Sequence, residues 1–308
     1  MVFFGKIAAA VFAWGAYAVL RLVGWKRKTV FANVKHVAGA FPQAIPNAFS
    51  TASRATPNVS TAVPVNYDEL LFNLTRHVGE LLFCFGTFKR LPADFSKYPC
   101  CVDGWTFDIA EDSAPVLEKM RKGGIFLTAH YGNYEAMGPW LCRLGIPLVA
   151  SYIPVKPKWL NNILECKIRA VDGRSYSVDA RTPRDFLRIL NEGKLFCLLA
   201  DQDSRIPSAL PGTFLGRPAN VNPLPDFLLK HRPQTPVFIC WMDEVGASSE
   251  KVRVLHAIEV ASPAHFAQSK VVEKFNKWLE ERIYENPNLW YSFTHRRFYS
   301  QSPEIYGE

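Results

Sequence analysis

The chain has no cysteine framework, no nucleotide-binding loop and no serine elbow, and each absence removes a class of function. Its 7 cysteines are odd in number and scattered through apolar runs such as Phe83-Cys84-Phe85 and Phe196-Cys197-Leu198. Buried free thiols look like this, and the pattern predicts a reducing compartment rather than a disulfide-stapled secreted domain. Cys100 and Cys101 are adjacent and belong to no metal-ligand pair spacing, so no metal site is expected. A Walker loop and a G-x-G-x-x-G turn are both missing, which leaves nucleotide cofactors without support. The missing G-x-S-x-G elbow weighs against the serine hydrolase version of an α/β fold. There is no ribonucleoprotein aromatic motif, zinc finger or long basic tract, so the net charge of +8 and pI near 9.1 point to a membrane or acidic lipid rather than nucleic acid. Internal repeats are not visible.

Uncharged apolar runs are scarce, and the longest opens the chain. Residues 7–20 fall short of a membrane span, but Lys6 and Arg21 can snorkel and extend the apolar length to about 22 residues. Three readings compete: an uncleaved anchor, a cleaved signal peptide with Ala16-Tyr17-Ala18 as cleavage site, and a core helix. The basic residues Arg21, Lys26, Arg27 and Lys28 that follow favour an anchor with the rest of the chain on the cytoplasmic side. The expected layout is a membrane anchor helix over 1–28, an amphipathic helix and a flexible Ala/Ser/Thr/Pro-rich loop over 29–66, and a catalytic domain over 67–308. In the second of these, Val30, Val34, Val37 and Phe41 recur at helical spacing over residues 29–41.

Beyond residue 66 the hydrophobic period alternates between helix and strand. Leu70, Leu71, Leu74, Val78, Leu81 and Leu82 make one face of a helix over 67–85. Strands are predicted over 103–110, 125–129, 146–153, 176–178, 195–200, 237–242 and 252–258, with helices over 114–122, 134–141, 158–170, 183–190 and 269–284. This succession implies a single α/β domain with a mixed, mostly parallel central sheet flanked by helices, plus the N-terminal membrane helix.

The most informative stretch is Gly123-Gly124-Ile125-Phe126-Leu127-Thr128-Ala129-His130-Tyr131-Gly132-Asn133-Tyr134-Glu135. A short apolar strand ends on His130, Gly132 permits a turn, Asn133 is a good N-cap, and the helix that follows carries Glu135 in its first turn. The turn folds Glu135 back toward His130, where a carboxylate fixes the imidazole tautomer and makes the far ring nitrogen a general base. The alternative is a strand-end histidine that Glu135 merely caps. Asp201-Gln202 leaves the strand over 195–200, and ligands in open α/β sheets gather at such ends, so His130 and Asp201 are expected to share a cleft. A plain turn role for Asp201 remains open.

His130-Tyr131-Gly132-Asn133-Tyr134-Glu135 resembles the His-Phe-Gly-Asn-Trp-Glu signature of the late acyltransferases of lipid A biosynthesis, the lauroyl and myristoyl transferases of the lysophospholipid acyltransferase superfamily. Further blocks follow in the family's order: Asn33-Val34 through Ala40-Phe41-Pro42, then Asp201-Gln202, Phe214-Leu215-Gly216, and Trp290 with His295-Arg296-Arg297-Phe298. The similarity spans nearly the whole chain except about residues 43–66. It implies a glycerolipid acyltransferase-like fold and a membrane-bound O-acyltransferase needing no cofactor. Such an enzyme moves a fatty acyl chain from an acyl-carrier-protein thioester to a hydroxyl of a glycolipid such as a lipid A precursor, at the cytoplasmic face of a bacterial inner membrane. His130 and Glu135 are then the catalytic pair, and Asn133, Arg169, Asp201 and Gln202 bind substrate. Lys156, Lys158, Arg174, Arg181, Arg184, Arg296 and Arg297 suit an acidic carrier protein or lipid phosphates. A thioesterase, or an inactive lipid-binding homologue, are the rival readings. The chain departs from the family in having Tyr152-Ile153-Pro154 where Tyr-Arg-Pro is frequent, and Phe214-Leu215-Gly216 for Phe-Phe-Gly.

Overall fold

The computed structural model describes residues 2–38, 65–152, 154–246, 251–261 and 270–307. Three helices come first: α1 (Val2–Leu22), α2 (Arg27–Val37) and α3 (Tyr67–Phe83). Helix α2 follows the predicted stripe as far as Val37, with Val30 and Val37 buried; Phe41 and nearly all of the Ala/Ser/Thr/Pro-rich segment lie outside the described residues. Asn66 starts α3 by accepting the backbone N–H groups of Asp68 and Glu69, which satisfies two donors that the helix itself leaves open. The short helix α4 (Phe85–Phe88) leads into β1 (Cys100–Val102), β2 (Trp105–Ile109), α5 (Ala114–Met120), β3 (Gly124–Thr128) and α6 (Tyr134–Arg143).

The next stretch holds β4 (Leu148–Ser151), α7 (Lys158–Ile163), β5 (Ala170–Val171), β6 (Arg174–Ser175) and β7 (Ser177–Val178), then α8 (Pro183–Asn191) and β8 (Leu195–Leu199). The predicted helix over 158–170 is shorter than its pattern, because α7 widens into a π turn at Leu164–Ile168 and Arg169 ends it. A hairpin of β9 (Leu210–Phe214) and β10 (Arg217–Val221) was not legible in the hydrophobic pattern. Its two turn residues, Leu215 and Gly216, both have positive φ, the signature of a tight primed turn. Leu215 is held there by its own buried side chain and by its N–H donating to Glu280 Oε1 at 2.6 Å. Helix α9 (Leu224–His231), β11 (Val237–Val245), β12 (Val252–Ala261) and α10 (Val271–Glu285) follow.

Eight strands form the central sheet, in the order β1-β2-β12-β11-β3-β8-β4-β7. Pairs β1/β2 and β11/β12 are antiparallel; the other neighbours run parallel. This is the mixed, mostly parallel sheet flanked by helices that the pattern implied. Strand β3 lies near the middle and every one of its residues is buried, as a parallel strand covered on both faces requires. Its side chains alternate: Ile125 and Leu127 pack with Phe275, Trp278 and Leu279 of α10, while Phe126 packs on the other face with Met137, Trp140 and Leu141 of α6.

The candidate active site

Register in the sheet builds the centre of the site. Strands β3 and β8 are parallel neighbours with Thr128 opposite Leu199, so two residues further on His130 comes level with Asp201. The side chains meet: His130 Nδ1 lies 2.8 Å from Asp201 Oδ1, and the His130 backbone N–H donates to Asp201 Oδ2 at 3.2 Å. Two more donors converge on Oδ2, Trp290 Nε1 at 2.9 Å and Ser292 Oγ at 2.7 Å.

These donors arrive on a segment that zips onto the strand end. Tyr131 bridges Trp290, Gly132 N–H donates to the Leu289 carbonyl at 3.0 Å, and Tyr291 N–H donates to the His130 carbonyl at 2.9 Å. Gly132 turns with φ 58°, a conformation that costs glycine little. The C-terminal block around Trp290 therefore forms part of the wall behind the histidine.

The electrostatics follow from this packing. Burial alone would raise the Asp201 carboxyl, but His130 and the converging donors outweigh it and hold the group well below the usual carboxylate range. Burial disfavours a charged imidazole at His130, yet the Asp201 carboxylate, with a smaller contribution from Glu135, raises its pKa above the ordinary histidine value. Asp201 is fully enclosed, whereas the His130 side chain keeps 21% exposure. With Nδ1 engaged by Asp201, Nε2 is the ring nitrogen left to meet a substrate. Among the described residues no serine, threonine or cysteine is bonded to it.

A family model of bacterial lipid A biosynthesis acyltransferases matches residues 106–300, the stretch that contains every residue of this cluster. The chain belongs to that family. It is an acyltransferase of lipid A biosynthesis type, whose chemistry joins an acyl donor and a lipid acceptor. No curated protein matches the chain.

Within this acyltransferase the expected partner of the histidine must be corrected. Glu135, in the first turn of α6, does not hold the imidazole. It receives a two-pronged bond from Arg169, Nη2 to Oε1 at 2.5 Å and Nε to Oε2 at 3.3 Å, with both side chains largely enclosed. The physical reason is the sheet: Asp201 emerges directly beside His130, while Glu135 sits past the turn and faces the guanidinium that the π turn delivers. Arg169 also lies over the Tyr152 ring at 5.5 Å, and its Nη1 is the prong not spent on Glu135.

Asn133 also departs from expectation. Its side chain neither caps α6 nor stands free for a substrate. Oδ1 meets His77 Nδ1 at 2.9 Å and Nδ2 donates to Glu80 Oε2 at 2.8 Å, both on α3. Glu80 in turn pairs with the buried Arg253 at 2.7 Å, and Glu244 joins Arg253 to Arg76. Burial pushes His77 down to about 4, so it is neutral at pH 7. Tyr134 packs its ring 5.0 Å from both His77 and His130 and separates this network from the dyad. Gln202 is half-buried beside Asp201, and nothing in its contacts gives it a role. Of the basic residues proposed to meet a partner, Arg297 is enclosed and donates to the Asn220 carbonyl, so it cannot serve an acidic surface.

Sequence reasoning missed His77, Glu80 and Ser292. The first two lie in an amphipathic helix whose polar positions look like any solvated face, and Ser292 sits in an aromatic stretch with no periodic pattern. Trp290 carried a signal, because it belongs to a block resembling the family, although that resemblance said nothing of its bond to Asp201.

Proposed function

We propose that this acyltransferase moves a fatty acyl chain from an acyl-carrier-protein thioester to a hydroxyl of a glycolipid resembling a lipid A precursor, with His130 as general base. The observation that carries the reading is the His130–Asp201 pair: a base fixed through Nδ1 by a buried ionised carboxylate, with no protein nucleophile bonded to Nε2 among the described residues. Such a site suits direct attack by the acceptor.

In this scheme Nε2 removes the acceptor hydroxyl proton as its oxygen bonds to the thioester carbonyl carbon. Asp201 stabilises the imidazolium that forms. The tetrahedral oxyanion needs donors, and two sources suit it: Arg169 Nη1, and the first N–H groups of α6, left uncapped because Asn133 is drawn toward α3. The C–S bond then breaks and the thiolate takes the proton back from Nε2. Glu135 acts through Arg169 by holding the guanidinium in place. Exposed Lys156, Lys158, Arg174 and Arg184 suit an acidic carrier protein. The lipid A family and the apolar stretch Phe4–Leu22 support work at a membrane, which we place as the bacterial inner membrane with the body on the cytoplasmic side.

The test supplies acyl-carrier-protein thioester and glycolipid acceptor and follows both products. Acylated glycolipid is expected from the native chain, and His130→Ala should lose roughly a hundredfold to ten-thousandfold in turnover while staying folded. Release of free fatty acid without acylated acceptor would make the protein a thioesterase, and a fully active His130→Ala would end the mechanism.

A further inference from the structure

Helix α1 is long enough to span a bilayer, since 21 residues at 1.5 Å make roughly 31 Å. Its packing argues for a different disposition. It runs antiparallel along α3 and is tied down at both ends: Lys6 Nζ donates to the Gly104 carbonyl at 2.8 Å, and Arg21 pairs with Asp68 at 2.8 Å. Those are the two cations expected to snorkel at opposite membrane faces, and the protein body holds both. Between them the helices nearly touch, because a Cβ on Gly79 would stand 2.6 Å from the Ala9 carbonyl. Helix α3 cannot follow α1 into hydrocarbon, since it carries Asp68, Glu69, Arg76, His77 and Glu80 and is bonded through His77 and Glu80 to the wall of the active site.

The exposed face of α1 is apolar along its length: Phe4, Ile7, Val11, Val19 and Leu22 are open, and Trp14, although its ring packs 4.6 Å from Phe72 of α3, still exposes more than half of its surface. Phe31, half exposed at the start of α2, continues the strip. Positive charge is concentrated in the same N-terminal part of the sequence. The first 67 residues contain seven basic residues and no acid, so they supply seven of the eight net positive charges and leave the remainder of the chain nearly neutral. Lys26 ends the turn from α1 and Arg27 and Lys28 open α2; all three are exposed, and among the described residues no carboxylate pairs with them.

We propose that α1 lies in the plane of one leaflet, as a docked helix whose outer apolar face enters the acyl-chain boundary, while Lys26, Arg27 and Lys28 bind anionic lipid headgroups. Because α3 connects α1 to the His130 site through His77 and Asn133, this arrangement seats the cleft at the membrane surface where a lipid acceptor resides. The proposal does not depend on the acyl-transfer reading, and binding tests it without reference to turnover.

Full-length protein is mixed with vesicles of phosphatidylcholine alone or with phosphatidylglycerol added, sedimented, and washed with carbonate at high pH. Binding to the anionic vesicles, with release by carbonate, is expected. Val11→Asp and Val19→Asp should each weaken binding by roughly tenfold or more, with unchanged thermal unfolding, because both side chains are solvent-facing. Each Lys or Arg near an anionic surface contributes about fivefold, so Lys26→Gln, Arg27→Gln and Lys28→Gln together should lose on the order of a hundredfold on anionic vesicles and little on neutral ones. Retention through the carbonate wash regardless of lipid charge would show a spanning helix and overturn the proposal. So would vesicle binding indifferent to Val11→Asp and Val19→Asp in a folded protein.

Discussion

Asp201→Asn separates the two carboxylates that compete for the role beside His130. The native carboxylate accepts from four donors: His130 Nδ1, the His130 N–H, Trp290 Nε1 and Ser292 Oγ. An asparagine has one acceptor oxygen and one donor amide in the same space. Three of the four donors converge on Oδ2, so the amide oxygen belongs there, and the NH₂ then points at Nδ1. That reverses the hydrogen bond and forces the proton onto Nε2, where it blocks the base. Loss of the charge also removes the main support for a protonated ring, while burial, which disfavours the imidazolium, remains. Turnover should fall by roughly a thousandfold to ten-thousandfold, with the acid limb of the rate profile shifted to lower pH. The stability cost should be only about 1–3 kcal/mol, a melting shift of several degrees, because three of the four bonds keep an acceptor.

The native protein also has a definite pH signature. Asp201 is depressed in the folded state, so its contribution to stability is present above about pH 4 and fades as pH falls below that. His130 is raised, so its contribution is complete below about pH 6.5 and is lost as pH climbs through the folded value, over the same interval in which the base becomes neutral and the rate increases. Stability and activity should therefore move in opposite directions there, and Asp201→Asn should remove both trends. Acyl transfer and thermal unfolding measured across pH on the native and variant proteins provide the readout. A folded Asp201→Asn that keeps more than a tenth of native turnover would refute the assignment.

Other outcomes follow from the same contacts. Glu135→Gln leaves Arg169 with a weakened hold and should reduce turnover by roughly tenfold to a hundredfold, with the acid limb moved to lower pH by much less than in Asp201→Asn, whereas a limb shift equal to that of Asp201→Asn would return Glu135 to the imidazole. Arg169→Lys cannot reproduce the two-pronged bond and should fail to restore activity in steady-state kinetics. Glu80→Gln removes the nearer of the two carboxylates on the enclosed Arg253, leaving Glu244 at 3.4 Å, and should cost about 1–3 kcal/mol, a melting decrease of several degrees in calorimetry, with the folded fraction still active. If Lys156, Lys158, Arg174 and Arg184 steer an acidic carrier protein, kcat/KM for that donor should decline as salt rises past about 0.1 M; a flat salt profile would remove the carrier protein from the scheme.

Hydrophobic period, turn residues and charge determined the elements and most of their limits, because helix and strand bury one face or both in patterns local to the chain. They also marked His130 and Asp201 as residues at strand ends. The partner of His130 was decided by the sheet alone: β3 and β8 are separated in sequence by β4, β5, β6 and β7 yet lie side by side, and that adjacency sets Asp201 against the ring while Glu135, five residues away in the chain, turns to Arg169. The same holds for α1. Its composition allows a span, a buried helix or a surface helix alike, since hydropathy counts side chains without saying which of them find protein partners. Its packing on α3, with Lys6 and Arg21 engaged at the two ends and Val11 and Val19 left outside, is what favours the surface helix, and that contact forms between segments separated by more than forty residues.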